Sequence, residues 1–210
     1  MSPKTKDWII ATRPWAFPAS TMPALIAVSY AFYMHSKMPM DVNWWYGVLA
    51  ILGAAIFQAS GNLISDYFDY KHKVDRAETF GSSRMLVDGV FKPNTILYYG
   101  LTLLVIGSII GLYLLLNTSV SLLWIGAIGV IGTYFYYKLK FNALGDITIL
   151  IIYGLLISLG AYLVATNMLN WKLLLIGAAP GFLIVNILHA NNLRDIKHDG
   201  EANIKTQAML

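Results

Sequence analysis

Long apolar runs dominate this chain of 210 residues and restrict the folds available to it. A helix needs about 20 consecutive apolar residues to cross the hydrocarbon core of a bilayer. Backbone groups in lipid must find partners within their own segment, so we predict an all-α, multi-span transmembrane helical bundle. By hydropathy, six runs are long enough to span: 15–35, 44–64, 95–116, 119–137, 144–166 and 171–190.

The composition supports a membrane protein. Only 12% of residues are charged, about half the share in a soluble domain. The net charge of +4 is better explained by loops facing anionic lipid than by nucleic acid, and we expect no nucleic-acid partner. Cysteine is absent, which excludes disulfides, thiolate metal sites and cysteine nucleophiles.

Charge distribution predicts the orientation in the membrane. All of the 15 basic residues except Lys37 and Lys172 lie on one side of the predicted spans. By the positive-inside rule that side is cytoplasmic, so we expect a multi-pass protein of the plasma membrane with both termini in the cytoplasm. The acidic residues, except Asp41, lie on the same side. The rule does not require that second asymmetry, which therefore needs a separate cause.

The first acidic segment follows the second predicted span. If that helix continues, Asn62, Asp66 and Asp69 share one face at positions i, i+4 and i+7, and Asp75 follows. Carboxylates three residues apart repel each other unless a cation lies between them. Oxygen ligands with some retained water suit Mg²⁺.

The second acidic segment ends the sixth predicted span and repeats this pattern. Asn191, Asp195 and Asp199 lie at i, i+4 and i+8, with Asn192 beside them. Two such clusters cannot bind a polyanion directly, but they can do so through bridging Mg²⁺. The pattern therefore favours a lipid-linked diphosphate, whose head belongs at the membrane surface. The alternative, solvated loop charges, explains one cluster better than two matching ones.

Other polar and small residues are expected to have structural roles. We predict that the His189 ring finds its hydrogen-bond partners within the helix bundle and that the aromatic residues at 134–137 form an interfacial belt. Glycines spaced three or four apart are expected to permit close helix packing. These are Gly107, Gly111, Gly126, Gly129 and Gly132.

Both acidic segments resemble the two aspartate motifs of the UbiA superfamily of membrane prenyltransferases. The spellings NLISDYFDY at 62–70 and NNLRDI at 191–196 are typical of its menaquinone branch, the 1,4-dihydroxy-2-naphthoate polyprenyltransferases. Supporting segments are Arg13-Pro14, Gly81-Ser82-Ser83-Arg84 and Leu144-Gly145-Asp146.

This resemblance implies helices around a central lipid-open cavity and Mg²⁺-dependent transfer of a prenyl group from polyprenyl diphosphate to an aromatic acceptor. Both motifs would cap the cavity, and loss of the acceptor carboxylate would accompany transfer. It implies a catalytic set of Asn62, Asp66, Asp69, Asp195 and Asp199, with the four aspartates binding Mg²⁺. The implied substrate-binding residues are Arg84, Lys138, Lys140, Asn191, Asn192, Arg194 and Lys205.

Two departures from the family pattern affect what we expect. The resemblance implies about nine spans, whereas this sequence stops at Leu210, soon after the second motif. We therefore interpret residues 1–210 as a single transmembrane prenyltransferase domain without its C-terminal helices, which binds Mg²⁺-diphosphate but transfers poorly alone. In addition, Asn203 stands where the motif usually has glycine.

The sequence is compatible with other functions. The acceptor could be 4-hydroxybenzoate or a glycerol-phosphate lipid, as in other branches of the superfamily. A transporter is a different class, and ionisable residues within spans often mark transport paths. Here the carboxylates gather at one membrane face and none lies in the middle of a span. A non-catalytic membrane protein is the third possibility, and the oligomeric state is left open.

Overall fold

Helices form most of the computed structural model, which describes residues 3–79 and 82–210. Gly81, part of one supporting segment, lies outside the described residues. The described part of the chain contains no strand, so the all-α prediction is confirmed. The α-helices are α1 (Thr5–Ala11), α2 (Pro18–Lys37), α3 (Trp44–Lys71), α4 (Pro93–Asn117), α5 (Leu122–Phe141), α6 (Gly145–Ile149), α7 (Ile157–Thr166) and α8 (Lys172–Glu201).

A π-helical segment, Leu150–Leu156, joins α6 and α7 into one continuous helix. Five helices are long and apolar enough to cross a membrane, namely α3, α4, α5, the joined α6–α7 helix and α8. The first predicted span coincides largely with α2, which is not among these five. Its proline, serine, tyrosine and histidine residues dilute the apolar character of its 20 residues.

Local sequence signals explain several helix ends. Pro18 and Pro93 begin α2 and α4, where the missing N–H costs nothing because no intrahelical acceptor exists. Asn43 precedes α3, and its side chain accepts a hydrogen bond from the backbone of Tyr46 at 3.2 Å. Asn167 ends α7 in the left-handed conformation, which asparagine tolerates better than most residues.

Both acidic segments lie on helical extensions beyond the predicted spans. Helix α3 continues to Lys71 and α8 to Glu201, so each motif keeps helical spacing. Because both helices run toward the same end of the bundle, both motifs reach it.

Small residues set how closely the helices approach. Ala24, Ala27 and Ala31 form a fully buried face of α2 that packs on Leu159 and Tyr162 of α7. At the other end of the chain, Gly154 of the π-helical segment lies against α8. A Cβ atom there would come within 2.8 Å of the Gly181 Cα atom and 3.0 Å of the Gly177 carbonyl oxygen. The backbones of these two elements are therefore in direct contact.

The predicted packing glycines behave differently from one another. Gly107 packs against the ring of Phe57, and Gly132 packs against Ile152, as expected. Gly111, Gly126 and Gly129 were expected to contact a neighbouring helix, but a Cβ atom at each would meet nothing within 4 Å. They border an apolar cavity of about 320 Å³ between α3, α4, α5 and α7.

The N-terminal helix α1 is anchored at the end of the bundle that carries the acidic segments. Trp8 packs edge-on against Phe91 and Tyr99, with ring centroids 4.6 and 5.2 Å apart. Ala11 is buried beside Leu63 of α3. This contact positions the short segment between α1 and α2, including Arg13, over the end of α3.

Candidate functional site

The ends of α3, α5 and α8 enclose a polar cavity of about 120 Å³. Residues from both acidic segments line it, together with basic residues from three parts of the chain. The carboxylates are Asp69, Asp75, Asp195 and Asp199; the other polar residues are Arg13, Thr79, Lys140, Asn191, Asn192, Arg194 and His198.

Asp69 is the most informative residue of this cavity. It is buried, and its Oδ2 atom accepts hydrogen bonds from Lys140 Nζ and Ser65 Oγ, both at 3.1 Å. Its Oδ1 atom is buried without a hydrogen-bond partner among the described residues. An unsatisfied buried acceptor costs about 1–3 kcal/mol, and more when it is charged. Such an oxygen on a cavity wall is suited to a cation.

Aromatic stacking brings Lys140 to Asp69. Phe68 of α3 lies parallel to Tyr137 of α5, with ring centroids 3.6 Å apart and an interplanar angle of 9°. Asp69 follows Phe68 directly, and Lys140 lies one helical turn after Tyr137. The ring pair therefore fixes the relative position of the two charged side chains.

The loop after α3 turns back so that Asp75 joins the same cavity. The backbone N–H groups of Val74 and Asp75 donate to the Asp69 carbonyl oxygen, at 2.8 and 3.3 Å. Burial and the nearby Asp69 carboxylate raise the pKa of Asp75, while Arg13 and Lys140 oppose that rise. Two neighbouring carboxylates that repel in this way would be stabilised by a divalent cation.

Asp66 has a different environment from Asp69. Its carboxylate forms an ion pair with Arg13 and accepts hydrogen bonds from the Ser83 hydroxyl at 2.6 Å and the Ser83 N–H at 3.3 Å. It does not line the cavity. Arg13 adopts a left-handed backbone conformation (φ 54°), which directs its side chain back toward α3. Burial lowers the pKa of Arg13, although the carboxylates of Asp75 and Asp69 counteract this.

The second acidic segment lines the opposite wall of the cavity. Asp199 is buried, whereas Asp195 is half-buried and paired with its neighbour Arg194, whose Nε and Nη2 atoms lie 2.8 and 2.6 Å from it. Asn191 is exposed at the cavity and Asn192 is buried beside it. The Nδ2 atom of Asn192 donates to Asp146 at 3.4 Å.

The cavity suits a Mg²⁺ ion whose ligands come partly from the protein and partly from the substrate, rather than an ion that protein ligands enclose completely. Within residues 3–79 and 82–210, no three acidic or histidine side chains converge into a ready-made metal site. Magnesium is commonly bound by one or two carboxylates together with water and substrate phosphates. The unpaired oxygen of Asp69, with Asp75, Asp195 and Asp199 around it, meets that description.

The cavity includes only some of the predicted substrate-binding residues. Lys140, Asn191, Asn192 and Arg194 line it. Arg84 instead contacts Asp88 at 3.0 Å and nearby backbone carbonyls of its own loop. Lys138 is exposed, with its Nζ atom over the ring of Phe135, and Lys205 is also exposed. The structure therefore does not bring Arg84, Lys138 and Lys205 to the carboxylates of the polar cavity.

A second cavity of about 220 Å³ continues from the first into the bundle. Arg13, Lys140, Leu188 and Asn191 line both. Asn62, the remaining residue of the first motif, lies on the wall of this deeper cavity, where its amide donates to the Thr12 carbonyl at 2.9 Å. The other walls are a mixture of apolar and hydroxyl-bearing side chains, including Tyr136, Thr133, Ile149, Ile152, Tyr153, Ile184 and Ile187.

Arg13, Asp75, Tyr136 and Tyr153 line these cavities but are not among the predicted site residues. Asp75 was visible as a third aspartate following the first motif. The Arg13-Pro14 pair has no predicted catalytic or binding role, because nothing in its spacing predicts the turn that carries Arg13 to Asp66. Tyr153 lies in the π-helical segment, a feature often found at functional sites but without a sequence signal here.

Two solved structures have the same fold over nearly the whole chain. One is a UbiA homolog from Archaeoglobus fulgidus bound to DMAPP and Mg²⁺, with a TM-score of 0.70 and 16% identity over 97% of this chain and 68% of that one. The other is a digeranylgeranylglyceryl phosphate synthase, with a TM-score of 0.65 and 16% identity over 96% and 67%.

Curated relatives agree with this likeness. The UbiA prenyltransferase domain-containing protein 1 of Rattus norvegicus is 32% identical over 99% of this chain, and its human counterpart is 30% identical. The chain spans about three fifths of the length of these two relatives. A 1,4-dihydroxy-2-naphthoate octaprenyltransferase of Mycobacterium tuberculosis is 27% identical over 97% of the chain and 69% of its own length.

The sequence pattern of one protein family matches most of the chain. The pattern of the UbiA prenyltransferase family matches residues 20–210, which include both acidic segments and all five helices suited to span a membrane. The helical fold, the position of the acidic segments and this match agree, and the chain belongs to the UbiA prenyltransferase family.

Proposed function

We propose that this chain carries the site of Mg²⁺-dependent prenyl transfer from a polyprenyl diphosphate to an aromatic acceptor, 1,4-dihydroxy-2-naphthoate. The observation that carries the proposal is the buried, unpaired Oδ1 atom of Asp69 in a cavity that three further carboxylates share. Family membership and the likeness to a DMAPP- and Mg²⁺-bound homolog support it.

The charges of the cavity favour a polyanion bound together with cations. Four carboxylates would repel a diphosphate, and the basic side chains of Arg13, Lys140 and Arg194 do not compensate them fully. Bound Mg²⁺ would supply positive charge that offsets the diphosphate and the negative charge that develops on the leaving group. Asp69, Asp75, Asp195 and Asp199 are the residues that would hold it.

Arg13 and Lys140 mark where the reacting bond would lie. Both line the polar cavity and the deeper one, so a diphosphate that they bind has its prenyl carbon directed into the bundle. In the proposed reaction the bond between C1 and the diphosphate oxygen breaks, and the electron pair leaves with the diphosphate. Ring electrons of the acceptor form the new bond to C1, and the ionised acceptor carboxylate leaves as CO₂, so that the electron pair of its bond to the ring restores aromaticity.

The deeper cavity offers the conditions that a prenyl cation requires. Tyr136 and Tyr153 contribute aromatic surface there, and four isoleucines and one leucine add aliphatic surface. Aromatic faces attract cations, and a largely apolar wall limits the access of water, which would otherwise convert the cation to an alcohol. The apolar cavity beyond shares Ile152 with this one and suits a hydrocarbon chain.

The acceptor is proposed from similarity. The Mycobacterium tuberculosis relative is a 1,4-dihydroxy-2-naphthoate octaprenyltransferase, and it is similar over 97% of this chain. The solved digeranylgeranylglyceryl phosphate synthase supports the alternative, a glycerol-phosphate lipid acceptor. We place the site at the cytoplasmic face of the plasma membrane, because the basic residues concentrate on that side.

A competition assay tests the proposal. The protein in lipid nanodiscs receives labelled geranylgeranyl diphosphate with 1,4-dihydroxy-2-naphthoate, 4-hydroxybenzoate and geranylgeranylglyceryl phosphate together, with Mg²⁺ or with EDTA. We expect Mg²⁺-dependent prenylation of the naphthoate with release of CO₂. Prenylation of another acceptor would refute the naphthoate assignment. Transport of the unmodified diphosphate across proteoliposomes, without any product, would refute prenyl transfer itself.

A further inference from the structure

Asp146, at the start of α6, is a buried carboxylate with no role in the mechanism described above. It is 7% exposed, and neither cavity next to the acidic segments includes it in its lining. Both of its oxygen atoms are directed at α8. His189 Nδ1 donates to Oδ2 at 2.6 Å, and Asn192 Nδ2 donates to Oδ1 at 3.4 Å.

The two donors lie three residues apart, on one face of α8. Because each helical residue advances by about 100°, a fixed direction for His189 and Asn192 also fixes the direction of Asp195 and Asp199 one and two turns later. The carboxylate of Asp146 therefore controls the rotation of α8 about its own axis at the level where the second acidic segment begins.

The contact also selects which end of the Asn192 amide faces the cavity. Asn192 is buried and lines the polar cavity. Since its nitrogen donates to Asp146, its carbonyl oxygen is directed away from that carboxylate. A cation binds oxygen and not an amide N–H group, so this orientation is the one that serves a cation site.

Asp146 is itself held firmly from two sides. The Gln207 side-chain oxygen accepts hydrogen bonds from the backbone N–H groups of Asp146 and Ile147, at 2.8 and 3.4 Å. Further along the same helix, Gly154 contacts the backbone of α8 directly. The position of Asp146 relative to α8 is thus constrained both at the membrane surface and within the bundle.

We propose that Asp146 is a positioning residue of this site, whose hydrogen bonds to His189 and Asn192 orient α8 so that Asp195, Asp199 and the Asn192 carbonyl oxygen face the cation site. This inference rests on the proposed function. Asp146 does not touch the cation or the substrate, and it acts through the two α8 side chains.

The test measures cation binding directly. Mn²⁺ replaces Mg²⁺ as a spectroscopic probe, and its binding to the purified protein is followed by electron paramagnetic resonance in the presence of farnesyl thiodiphosphate, which ionises poorly. We expect Asp146→Leu to weaken Mn²⁺ binding by about 10–100-fold, the range typical of lost outer-shell contacts. Asp146→Asn should stay within about 3-fold of wild type, because its amide can accept from Asn192 and donate to His189.

Two further variants make the result interpretable. Asp41→Leu removes an exposed carboxylate before α3, at the opposite end of that helix from the acidic segment, and should bind as wild type does. His189→Leu removes one of the two hydrogen bonds and should weaken binding by about 3–10-fold, even if Asp146→Leu does not fold. In a turnover assay, Asp146→Leu should raise the KM for Mg²⁺ while leaving the KM for the acceptor unchanged.

Three outcomes would overturn the inference. The first is wild-type Mn²⁺ binding by folded Asp146→Leu. The second is a loss of affinity in Asp146→Asn as large as that in Asp146→Leu, which would assign the effect to charge. The third is unchanged binding in His189→Leu. A wild-type protein that binds no Mn²⁺ with farnesyl thiodiphosphate would instead refute the proposed function.

Discussion

At the scale of single residues, Asp69 is the first place to test the site. Asp69→Asn should lower Mn²⁺ affinity in the presence of a prenyl thiodiphosphate by about 100-fold, because an amide supplies a weaker, neutral ligand. Equilibrium dialysis or electron paramagnetic resonance measures this change. The matched control is Asp88→Asn, which alters an exposed carboxylate of the following loop that pairs with Arg84. Equal affinity in Asp69→Asn and wild type would contradict the cation site.

Two lysines of α5 give an internally controlled comparison. Lys140 contacts Asp69 at 3.1 Å and lines both the polar cavity and the deeper one, whereas Lys138, two residues earlier, is exposed over Phe135. Lys140→Met should weaken prenyl diphosphate binding by about 10-fold or more, since charge-assisted contacts to phosphate are strong. Lys138→Met should change it by less than about 2-fold, as expected of an exposed charge. Similar losses in both variants would mean that Lys138 also reaches the diphosphate.

The residues that sequence reasoning found are those whose spacing carries information. Asp69, Asp195 and Asp199 follow from helical periodicity, because side chains three or four residues apart must share a face. Arg13 could not be found in this way, since a left-handed turn and the packing of Trp8 carry it to α3. For the same reason the sequence did not reveal that Asp66 is paired with Arg13, while Asp69 pairs with Lys140 through Oδ2 and leaves its Oδ1 atom without a partner among the described residues.

At the scale of helices, the contact between the π-helical segment and α8 should be the least tolerant of added volume. Gly154→Ala places a methyl group within 3 Å of two backbone atoms of α8. Overpacking typically costs about 1–3 kcal/mol, so we expect the unfolding temperature in detergent to fall by about 5 °C. The measurement is the amount of protein that still elutes as a folded species in size-exclusion chromatography after heating to a series of temperatures.

Gly126→Ala is the control for this change, because its Cβ atom would meet nothing within 4 Å. The added methyl group should therefore be tolerated at this position, with an unfolding temperature within about 1 °C of wild type. The two glycines look alike in sequence, and spacing alone predicted packing at Gly126 rather than at Gly154. Which neighbour a glycine faces depends on how the helices are arranged, and hydropathy gives no information about that arrangement.

At the scale of the whole molecule, orientation in the membrane can be tested with single cysteines. The chain contains no cysteine, so each introduced thiol is the only one present. In intact cells, a membrane-impermeant maleimide should label Lys37→Cys and Lys172→Cys. It should label Lys92→Cys and Lys197→Cys only after permeabilisation. The reason is the concentration of basic residues on one side. Labelling of Lys92→Cys in intact cells would reverse the predicted orientation of the site.

The overall architecture was largely predictable because hydropathy reports directly on lipid. The runs at 44–64, 95–116, 119–137, 144–166 and 171–190 correspond to the five helices suited to span the membrane. The run at 15–35 corresponds largely to α2, which is more polar and contributes an alanine face to the core. Hydropathy could not indicate that α3 and α8 meet at one cavity, since helix adjacency depends on side-chain shape.

The distribution of the site along the chain has a consequence for biogenesis. Asp69 and its partner Lys140 are separated by 71 residues, and Asp146 and its cap Gln207 by 61. When α3 leaves the ribosome, Arg13 is already available to Asp66, but Asp69 has no native basic partner, because Lys140 of α5 has not been synthesised. Helices in a bilayer can insert first and associate afterwards. Asp69 therefore stays without its basic partner until α5 follows, and the cavity closes only when α8 packs beside α3.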